Sequence, residues 1–208
     1  MAHKAGFINI VGNPNVGKST LMNQFVGEKL SIITSKSQTT RHRILGILNG
    51  EDFQMVYSDT PGVLKPSYGL QKAMLRYAHS ALEDADILVY VTDVFEKQLK
   101  NESFLDAVKA LEIPVLLLIN KIDLANQQHV EELVGFWHGQ FPKASILPVS
   151  AMLGFNIPQA FEFIYRNLPQ GEAYFPKDQI SDRTQRFFVS EIIREKILLN
   201  FHKEVPYS

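Results

Sequence analysis

The 208-residue sequence contains no cysteine, and this absence removes three kinds of chemistry at once. Disulfide bonds, zinc sites built on thiolates and cysteine nucleophiles are all excluded. The chain also has little charge bias, because 21 Lys and Arg stand against 22 Asp and Glu, for a formal net charge of -1. This balance gives no global electrostatic signal for a nucleic-acid partner or for an acidic solvating tail.

Long apolar runs are missing as well. The longest apolar stretches, such as residues 113–119, are far shorter than the roughly 20 residues that a membrane span requires. The N-terminus has no apolar region followed by a small-residue cleavage site, so it does not match a signal peptide. Together with the absence of cysteine, which fits a reducing compartment, these features predict a soluble, cytoplasmic protein.

Short apolar runs alternate with segments of helical periodicity through residue 168. Runs that are apolar on both faces are typical of parallel strands covered by helices. The Asn49-Gly50 turn signal predicts a hairpin between Arg41 and Ser58, which makes one edge strand antiparallel. The pattern therefore predicts a doubly wound, mostly parallel six-stranded α/β domain over residues 1–168. The other predicted strands are Phe7–Val11, Ile87–Val91, Val115–Ile119 and Ser145–Val149, and the predicted helices are Ser19–Val26, Gly69–Glu83, Asn101–Leu111, Gln127–Gln140 and Asn156–Asn167.

The C-terminal part differs in composition from this domain. Residues 169–180 contain two prolines and a glycine and are interpreted as a linker. A helix is predicted to follow, with Ser181 as its N-cap and apolar residues, including Ile192 and Ile193, at helical spacing. One amphipathic helix cannot bury its apolar face alone. It either packs back on the first domain or opens a second domain that the chain does not complete, and the second interpretation is favoured.

The first motif with a clear chemical meaning follows the first strand. Residues 12–19 match GxxxxGK(S/T), directly before a predicted helix. Such a loop turns its backbone amides and the helix N-terminus toward phosphate groups. Lys18 is expected to reach the outer phosphates, and the Ser19 hydroxyl is expected to ligate magnesium. The predicted phosphate-binding residues are Gly12, Asn13, Pro14, Asn15, Val16, Gly17, Lys18, Ser19 and Thr20.

Two further segments are expected to approach the phosphates. Residues 59–62 (Asp-Thr-Pro-Gly) end a predicted strand, and Asp59 there can hold magnesium through a water, while the Gly62 amide can meet a γ-phosphate. An ordinary Pro-Gly turn through Thr60 and Pro61 is the alternative, and the spacing from the phosphate loop favours the nucleotide interpretation. In the hydroxyl-rich loop before the hairpin, Thr40 is predicted to ligate magnesium. The alternatives are that Thr39 is the ligand or that the loop is only solvated.

The segment Asn120-Lys121-Ile-Asp123 after the third parallel run indicates which base is bound. The Asp123 carboxylate can accept hydrogen bonds from N1 and N2 of guanine, whereas adenine has no such pair of donors. Asn120 is expected to brace the loop and Lys121 to stack on the base. A strand-end turn is the alternative. After the next strand, the backbone near Ala151 is expected to contact guanine O6, with Ser150 and Met152 beside it.

Taken together, these motifs resemble those of P-loop GTPases of the translation-factor-related branch, in particular the Era/TrmE-like family. The similarity to Era proteins lies in residues 12–23, 38–43, 59–62, 120–123 and 181–196. It implies GTP hydrolysis with Mg²⁺ as cofactor and GTP or GDP as ligand, in a switch that acts in small ribosomal subunit assembly and 16S rRNA maturation. The implied catalytic residues are Lys18, Thr40, Gly62 and Asn15, and the implied metal ligands are Ser19, Thr40 and Asp59.

The resemblance also implies a C-terminal KH domain that binds small-subunit rRNA and a peripheral contact with the inner membrane. KH domains clamp nucleic acid with a GxxG loop, and no GxxG follows Ser181. Residues 181–208 are therefore expected to be the first part of an incomplete KH domain. We expect such a fragment to be monomeric and weak in RNA binding.

One position departs from the Ras-like pattern. Where Ras-like enzymes carry a glutamine that orients the attacking water, this chain has Val63. Slow intrinsic hydrolysis is the expectation. In relatives, an Asn at the position of Asn15 can hold a potassium ion, so potassium-stimulated hydrolysis is a hypothesis, and a purely structural role of Asn15 is its alternative. A nucleotide-gated binding module without significant turnover and an ATP-dependent kinase are the rival functions.

Overall fold

The structure is a computed structural model that describes residues 2–34, 39–40, 42–62, 80–96 and 102–201. Its six strands are β1 (Lys4–Gly12), β2 (Ile44–Asn49), β3 (Phe53–Asp59), β4 (Ile87–Asp93), β5 (Val115–Asn120) and β6 (Ser145–Pro148). They form one sheet in the order β2-β3-β1-β4-β5-β6. Only the β2–β3 pair is antiparallel. The predicted six-stranded sheet with one antiparallel edge strand is confirmed.

The described part of the chain contains five longer helices. They are α1 (Lys18–Val26), α2 (Glu102–Lys109), α3 (Gln127–Gln140), α4 (Ile157–Asn167) and α5 (Gln185–Asn200), and a short 3₁₀ turn spans Ile122–Leu124. Residues 80–83 are also helical. The rest of the predicted helix over residues 69–83 lies outside the described residues. None of the described helices is long and apolar enough to cross a membrane.

Alternate residues of the central strands face two separate cores. Ile8 and Ile10 of β1 pack with α1 and α4 on one face, whereas Val11 belongs to the cluster with α2 and α3 on the other. In β5, Leu116 and Leu118 face the first core, and Leu117 and Ile119 face the second. This period of two, with apolar residues on both faces, explains why the strands read as continuous apolar runs.

The parallel register brings the carboxyl ends of the strands to one edge of the sheet. Ile10 of β1 pairs with Asp59 at the end of β3, and Gly12 pairs with Val91 near the end of β4. Asp93, which ends β4, pairs with Asn120, which ends β5. The connections that leave β1, β3, β4 and β5 therefore emerge at the same edge of the sheet, where ligands bind in open α/β sheets.

The segment predicted as a linker lies along the sheet. The Gln54 side-chain oxygen accepts hydrogen bonds from the amides of Tyr174 (2.7 Å) and Phe175 (3.0 Å). Farther on, the amide of Ile47 in the edge strand β2 donates to the carbonyl of Ile180 at 2.9 Å. The bond between Ile47 and Ile180 covers part of an edge strand that would otherwise present unpaired backbone groups.

The prediction that Ser181 caps the last helix is wrong. Thr184 is the N-cap of α5, and its side chain accepts a hydrogen bond from the Phe187 amide. The Ser181 hydroxyl instead donates to the carbonyl of Leu45 at 2.6 Å, and Ser181 bridges to Gly46 in β2. Ser181 therefore pairs with the edge strand, and the helix begins three residues later than expected.

Part of the apolar side of α5 does not face the first domain. Ile192 and Ile193 are exposed, at 50% and 56%, and so are Val189, Leu199 and Phe201. The helix side that is buried carries Glu191 and Glu195 together with Leu198. Phe187 and Phe188, near the start of the helix, pack against the first core. The helix therefore buries one part of its apolar surface and exposes another, so neither interpretation describes the whole helix.

Candidate functional site

The phosphate loop connects β1 to α1 through two glycines in conformations that other residues rarely adopt. Gly12 has φ 146°, and a Cβ there would lie 2.1 Å from the carbonyl oxygen of Val91. Gly17 has φ 99° immediately before the helix. Asn15, at φ 63°, is a non-glycine residue in the left-handed region. Asn tolerates this region better than most residues, so backbone geometry alone gives a reason for Asn at this position.

Lys18 is buried inside this loop. Its ammonium donates a hydrogen bond to the carbonyl of Asn13 at 2.7 Å. Burial lowers the pKa of Lys18 to about 8, and the nearby charges of Asp59 and Glu96 act in the opposite direction. Keeping this ammonium charged at a buried position costs free energy, and negatively charged phosphate groups can offset that cost.

Three oxygen-bearing side chains meet at the first turn of α1. The Ser19 hydroxyl donates to Oδ2 of Asp59 at 2.6 Å, and its oxygen lies 3.0 Å from Oγ1 of Thr40. Thr40 also reaches Oδ2 of Asp59 at 3.4 Å. Thr39, the alternative, has its hydroxyl oxygen 2.7 Å from that of Thr34. The structure thus brings position 40, and not the side chain of position 39, next to Ser19 and Asp59.

Asp59 itself is completely buried. Burial raises the pKa of its carboxyl group, while the hydrogen bond from Ser19 and the charge of Lys18 act in the opposite direction. Its Oδ1 atom has no hydrogen-bond partner among the described residues. The strand end is fixed by Thr60, whose hydroxyl donates to the carbonyl of Ile10 at 2.7 Å. Gly62 then lies against the phosphate loop, since a Cβ there would be 2.7 Å from Cα of Pro14.

Asn120 links the phosphate loop to the two segments predicted to contact the base. Its side-chain amide donates to the carbonyl of Val16 at 2.8 Å, and its oxygen accepts from the amide of Ala151 at 3.0 Å. The Asn120 side chain is buried, so each of these bonds satisfies a group that water cannot reach. The bracing role expected of Asn120 corresponds to these two contacts.

The neighbouring charged residues of this motif are also held in place. Lys121 adopts φ 63°, and its ammonium contacts the carbonyl of Asn15 at 2.5 Å and Oδ2 of Asp93 at 2.6 Å. Asp123 is exposed, and its Oδ1 accepts a hydrogen bond from the Ser150 hydroxyl at 2.5 Å. Met152, at 78% exposure, lies at the surface. Ser150 therefore orients the carboxylate that is predicted to select guanine.

One cleft is lined by half of the predicted site residues. Val63 lies outside the described part of the chain. The base-recognition motif lies beside the cleft and is joined to it by Asn120. The cleft is lined by Pro14, Asn15, Gly17, Lys18, Ser19, Thr20, Ile32, Ile33, Thr34, Thr39, Thr40, Thr60, Gly62 and Lys121.

Sequence reasoning missed two acidic residues that follow β4. Glu96 is buried and accepts hydrogen bonds from the Asn13 side chain and from the Thr92 hydroxyl. Asp93 pairs with Lys121. Asp93 ends β4 and Glu96 follows it closely. Their position at the carboxyl end of a central strand is a signal that could have identified them, because the ends of β1, β3 and β5 already carry motifs.

Comparisons with known proteins agree with this geometry. Residues 7–121 match the protein family described as 50S ribosome-binding GTPase. GTPase Era of Alkaliphilus metalliredigens is 41% identical over 208 residues, which cover 100% of this chain and 70% of that protein. The chloroplastic GTPase ERA-like protein of Oryza sativa subsp. japonica is 43% identical over 211 residues, which cover 99% of this chain and 50% of that protein.

Solved structures give the same result. The crystal structure of Era in complex with MgGDPNP and nucleotides 1506–1542 of 16S ribosomal RNA has a TM-score of 0.92 at 38% identity, covering 98% of this chain and 70% of that one. A variant of Aquifex aeolicus Era bound to GDP·AlF4⁻ has a TM-score of 0.91 at 38% identity, with the same coverage. The chain therefore belongs to the Era family of GTPases, enzymes that hydrolyse GTP.

Proposed function

We propose that this chain is a GTP-hydrolysing switch that acts in the assembly of the small ribosomal subunit. The observation that carries the proposal is the meeting, at one sheet edge, of a phosphate loop, an oxygen-rich cluster and a braced base-recognition motif. The chemistry is transfer of the γ-phosphoryl group to water. In such a reaction the protein contributes mainly positioning and charge stabilisation.

The phosphate groups are assigned to residues 12–20. Backbone amides at the N-terminus of α1 face the bound anion, and Lys18 donates to its outer oxygens. Gly62 lies against the phosphate loop, so its amide is assigned to the γ-phosphate. Loss of that phosphate would release both Gly62 and Thr40, and the two loop states are what a partner distinguishes.

The cluster of Ser19, Thr40 and Asp59 fits a magnesium ion. Mg²⁺ takes oxygen ligands at about 2.1 Å in octahedral geometry, which separates neighbouring ligand oxygens by about 3 Å. The oxygens of Ser19 and Thr40 are 3.0 Å apart, and Oδ1 of buried Asp59 has no hydrogen-bond donor in the described part of the chain. We assign Ser19 and Thr40 as direct ligands and Asp59 as a ligand through water. When bound, the ion neutralises charge that develops on the β- and γ-phosphate oxygens.

The base is assigned to residues 120–123 and 150–152. Asp123, oriented by Ser150, accepts from guanine N1 and N2. The backbone near Ala151 is assigned to O6, which shares the Ala151 amide with the Asn120 side-chain oxygen, and Met152 lies at the rim. Adenine lacks the donor pair that Asp123 requires, and this argues against an ATP-dependent kinase.

Potassium dependence is part of the proposal. Val63 offers no polar group to orient water, and Asn15 occupies the loop position assigned to a potassium ligand. The left-handed backbone of Asn15 supports the alternative, in which this residue only shapes the loop. Hydrolysis measured in potassium and in sodium at equal ionic strength decides between them. Faster turnover in potassium supports the ion site, and equal rates refute it.

The RNA-binding part of the proposal rests on α5. Its apolar residues Val189, Ile192, Ile193 and Leu199 are exposed, and such exposed apolar residues are what the first helix of a further domain presents to its own core. We therefore assign residues 181–208 to the start of a KH domain, residues 169–180 to the linker and residues 1–168 to the GTPase domain. One related crystal structure contains Era with a segment of 16S ribosomal RNA. We propose small-subunit rRNA as the partner and the cytoplasm as the compartment, and the peripheral membrane contact stays a prediction.

The magnesium assignment is tested with two neighbouring substitutions. Thr40→Ala should lower GTP turnover at saturating nucleotide and raise the Mg²⁺ concentration needed for half-maximal rate. Thr39→Ala is the matched control, because its hydroxyl faces Thr34 and not Ser19. Equal Mg²⁺ dependence in Thr40→Ala and the unsubstituted chain would refute the assignment.

The ribosomal role is tested by sedimentation with small subunits. The chain should co-sediment to different extents when loaded with GDP and with a non-hydrolysable GTP analogue. Binding that is independent of the nucleotide would contradict a switch.

A further inference from the structure

Arg194 connects the C-terminal helix to the loop that carries Thr40. One of its terminal nitrogens, Nη2, donates to the carbonyl of Thr39 at 2.6 Å. Two hydrogen bonds to Glu191, from Nε at 2.8 Å and from Nη2 at 2.5 Å, hold the guanidinium group in a fixed plane. The Glu191 side chain is only 11% exposed and that of Arg194 20%. Both side chains are largely shielded from solvent, so this ion pair differs from one on the protein surface.

The contact bears directly on Thr40. The carbonyl of Thr39 and the amide of Thr40 belong to one planar peptide unit. Fixing that carbonyl therefore fixes the plane from which the Thr40 side chain departs. The hydroxyl of Thr40 then lies 3.0 Å from that of Ser19. A small rotation of the peptide plane would move this hydroxyl out of the cluster.

A second anchor on the same helix holds the start of the loop. Glu195 is buried, and its carboxylate accepts from the Ile33 amide at 3.1 Å and from the Lys29 ammonium at 2.8 Å. Burial would raise the pKa of Glu195, but the hydrogen bonds from Lys29 and Ile33 outweigh it and hold the pKa below its ordinary value. Glu195 is thus charged at neutral pH.

The orientation of α5 argues for a role beyond docking. Burying carboxylates and a guanidinium is costly unless they are paired, and Ile192 and Ile193 on the same helix stay exposed. Phe187 and Phe188 of the helix pack against the first core and Leu198 is buried, but the same interface also buries charged groups, which adhesion alone does not require. The partners of the buried charges lie on the segment between α1 and β2, at Lys29, Ile33 and Thr39.

We infer that Arg194 is a positioning residue for GTP hydrolysis, which sets Thr40 at the magnesium cluster through the Thr39 carbonyl. Glu191 orients Arg194, and Glu195 fixes the start of the same loop. The inference rests on the proposed role of Thr40. Hydrolysis then depends on a helix outside the GTPase domain, which acts through the Thr39 carbonyl and supplies none of the residues that line the cleft.

The test is a double-mutant cycle on Arg194→Ala and Thr40→Ala. Arg194→Ala should lower kcat by about tenfold to a hundredfold, as loss of a residue that orients a metal ligand does. It should also raise the Mg²⁺ concentration for half-maximal rate and leave GDP affinity within about twofold, since Thr40 is assigned to the γ-phosphate state. Arg186→Ala, on an exposed position of the same helix, is the matched control and should behave as the unsubstituted chain.

The cycle separates positioning from general stability. If Arg194 acts through Thr40, Arg194→Ala has no further effect on kcat when Thr40 is already alanine. Additive losses would overturn the inference, and so would an unchanged kcat in Arg194→Ala alone. If Arg194→Ala does not fold, Glu191→Gln replaces it in the cycle, because it keeps the shape of the pair and weakens the orientation of the guanidinium. The criterion is the same: Glu191→Gln should have no further effect on kcat when Thr40 is already alanine.

Failure of the underlying proposal has a different result. If Thr40→Ala itself leaves kcat and Mg²⁺ dependence unchanged, the magnesium assignment is wrong. If Thr40→Ala is impaired and a folded Arg194→Ala is not, only the positioning role fails.

Discussion

The buried ammonium of Lys18 predicts that nucleotide binding takes up a proton near pH 8. Burial lowers the pKa of Lys18 to about 8, and phosphate oxygens within hydrogen-bond distance should restore it to its ordinary value of about 10.4 or above. Since one pKa unit corresponds to about 1.4 kcal/mol, the environment disfavours the charged form by about 3 kcal/mol, which the phosphates offset.

The magnitude follows from the fraction of Lys18 that is neutral before binding. That fraction is about 0.1 at pH 7, about 0.5 at pH 8 and about 0.9 at pH 9. Because only the charged form suits the phosphates, GDP affinity should fall about tenfold between pH 7 and pH 9. Titration calorimetry in buffers of different ionisation enthalpy measures the uptake directly and should give about half a proton at pH 8.

GMP is the matched ligand for this experiment. It keeps the guanine base but lacks the outer phosphates that Lys18 is expected to contact. Its uptake at pH 8 should be close to zero. No uptake with GDP, or equal uptake with GDP and GMP, would refute the account of Lys18.

Three substitutions test the bracing of the site and its core. Asn120→Ala removes two buried hydrogen bonds between loops and should lower the free energy of unfolding, measured with urea, by about 2–5 kcal/mol. A loss below about 1 kcal/mol would contradict the bracing role. Tyr57→Phe should lower the free energy of unfolding by less than about 1 kcal/mol, because the buried hydroxyl donates to the Met55 sulfur, which is a weak acceptor. A loss above about 2 kcal/mol would contradict this and would mean that the hydroxyl has a stronger hydrogen-bond partner. Gly17→Ala strains a backbone at φ 99° and places Cβ 2.2 Å from the side-chain amide of Asn120, so GDP affinity should fall at least about tenfold. Gly27→Ala, at φ 80° in open space, is the control and should leave GDP affinity unchanged. Equal GDP affinity in both variants would overturn this reasoning.

The sheet and its functional edge could be predicted because their signals are local. The apolar runs have the period that two-sided burial demands, and Asn49-Gly50 marks the hairpin that the structure contains. The motifs around Lys18, Asp59 and Asn120 each follow a strand directly. Parallel topology then brings them to one edge without further information.

The C-terminal helix could not be predicted in the same way. Ser181 has the side chain of a good N-cap, but a carbonyl of β2, 136 residues earlier in the chain, competes for its hydroxyl. The apolar periodicity of α5 does not reveal which of its residues are buried. Ile192 and Ile193 stay exposed, while Glu191 and Glu195 face the first domain together with Phe187. Pairing between distant charges leaves no periodic trace, so the contacts of Arg194 and Glu195 with the loop before β2 required the structure.

The most direct test of guanine recognition is the nucleotide preference of Asp123→Asn. An amide at this position can donate to the 2-oxo group of xanthine and can no longer accept two hydrogen bonds from guanine. GTP and XTP hydrolysis are measured side by side for the two proteins, with Asp178→Asn as a surface control on the linker. We expect Asp123→Asn to lose GTP hydrolysis and to gain XTP hydrolysis, while the control keeps GTP hydrolysis. Unchanged selectivity for GTP in Asp123→Asn would contradict the assignment of the base-recognition site.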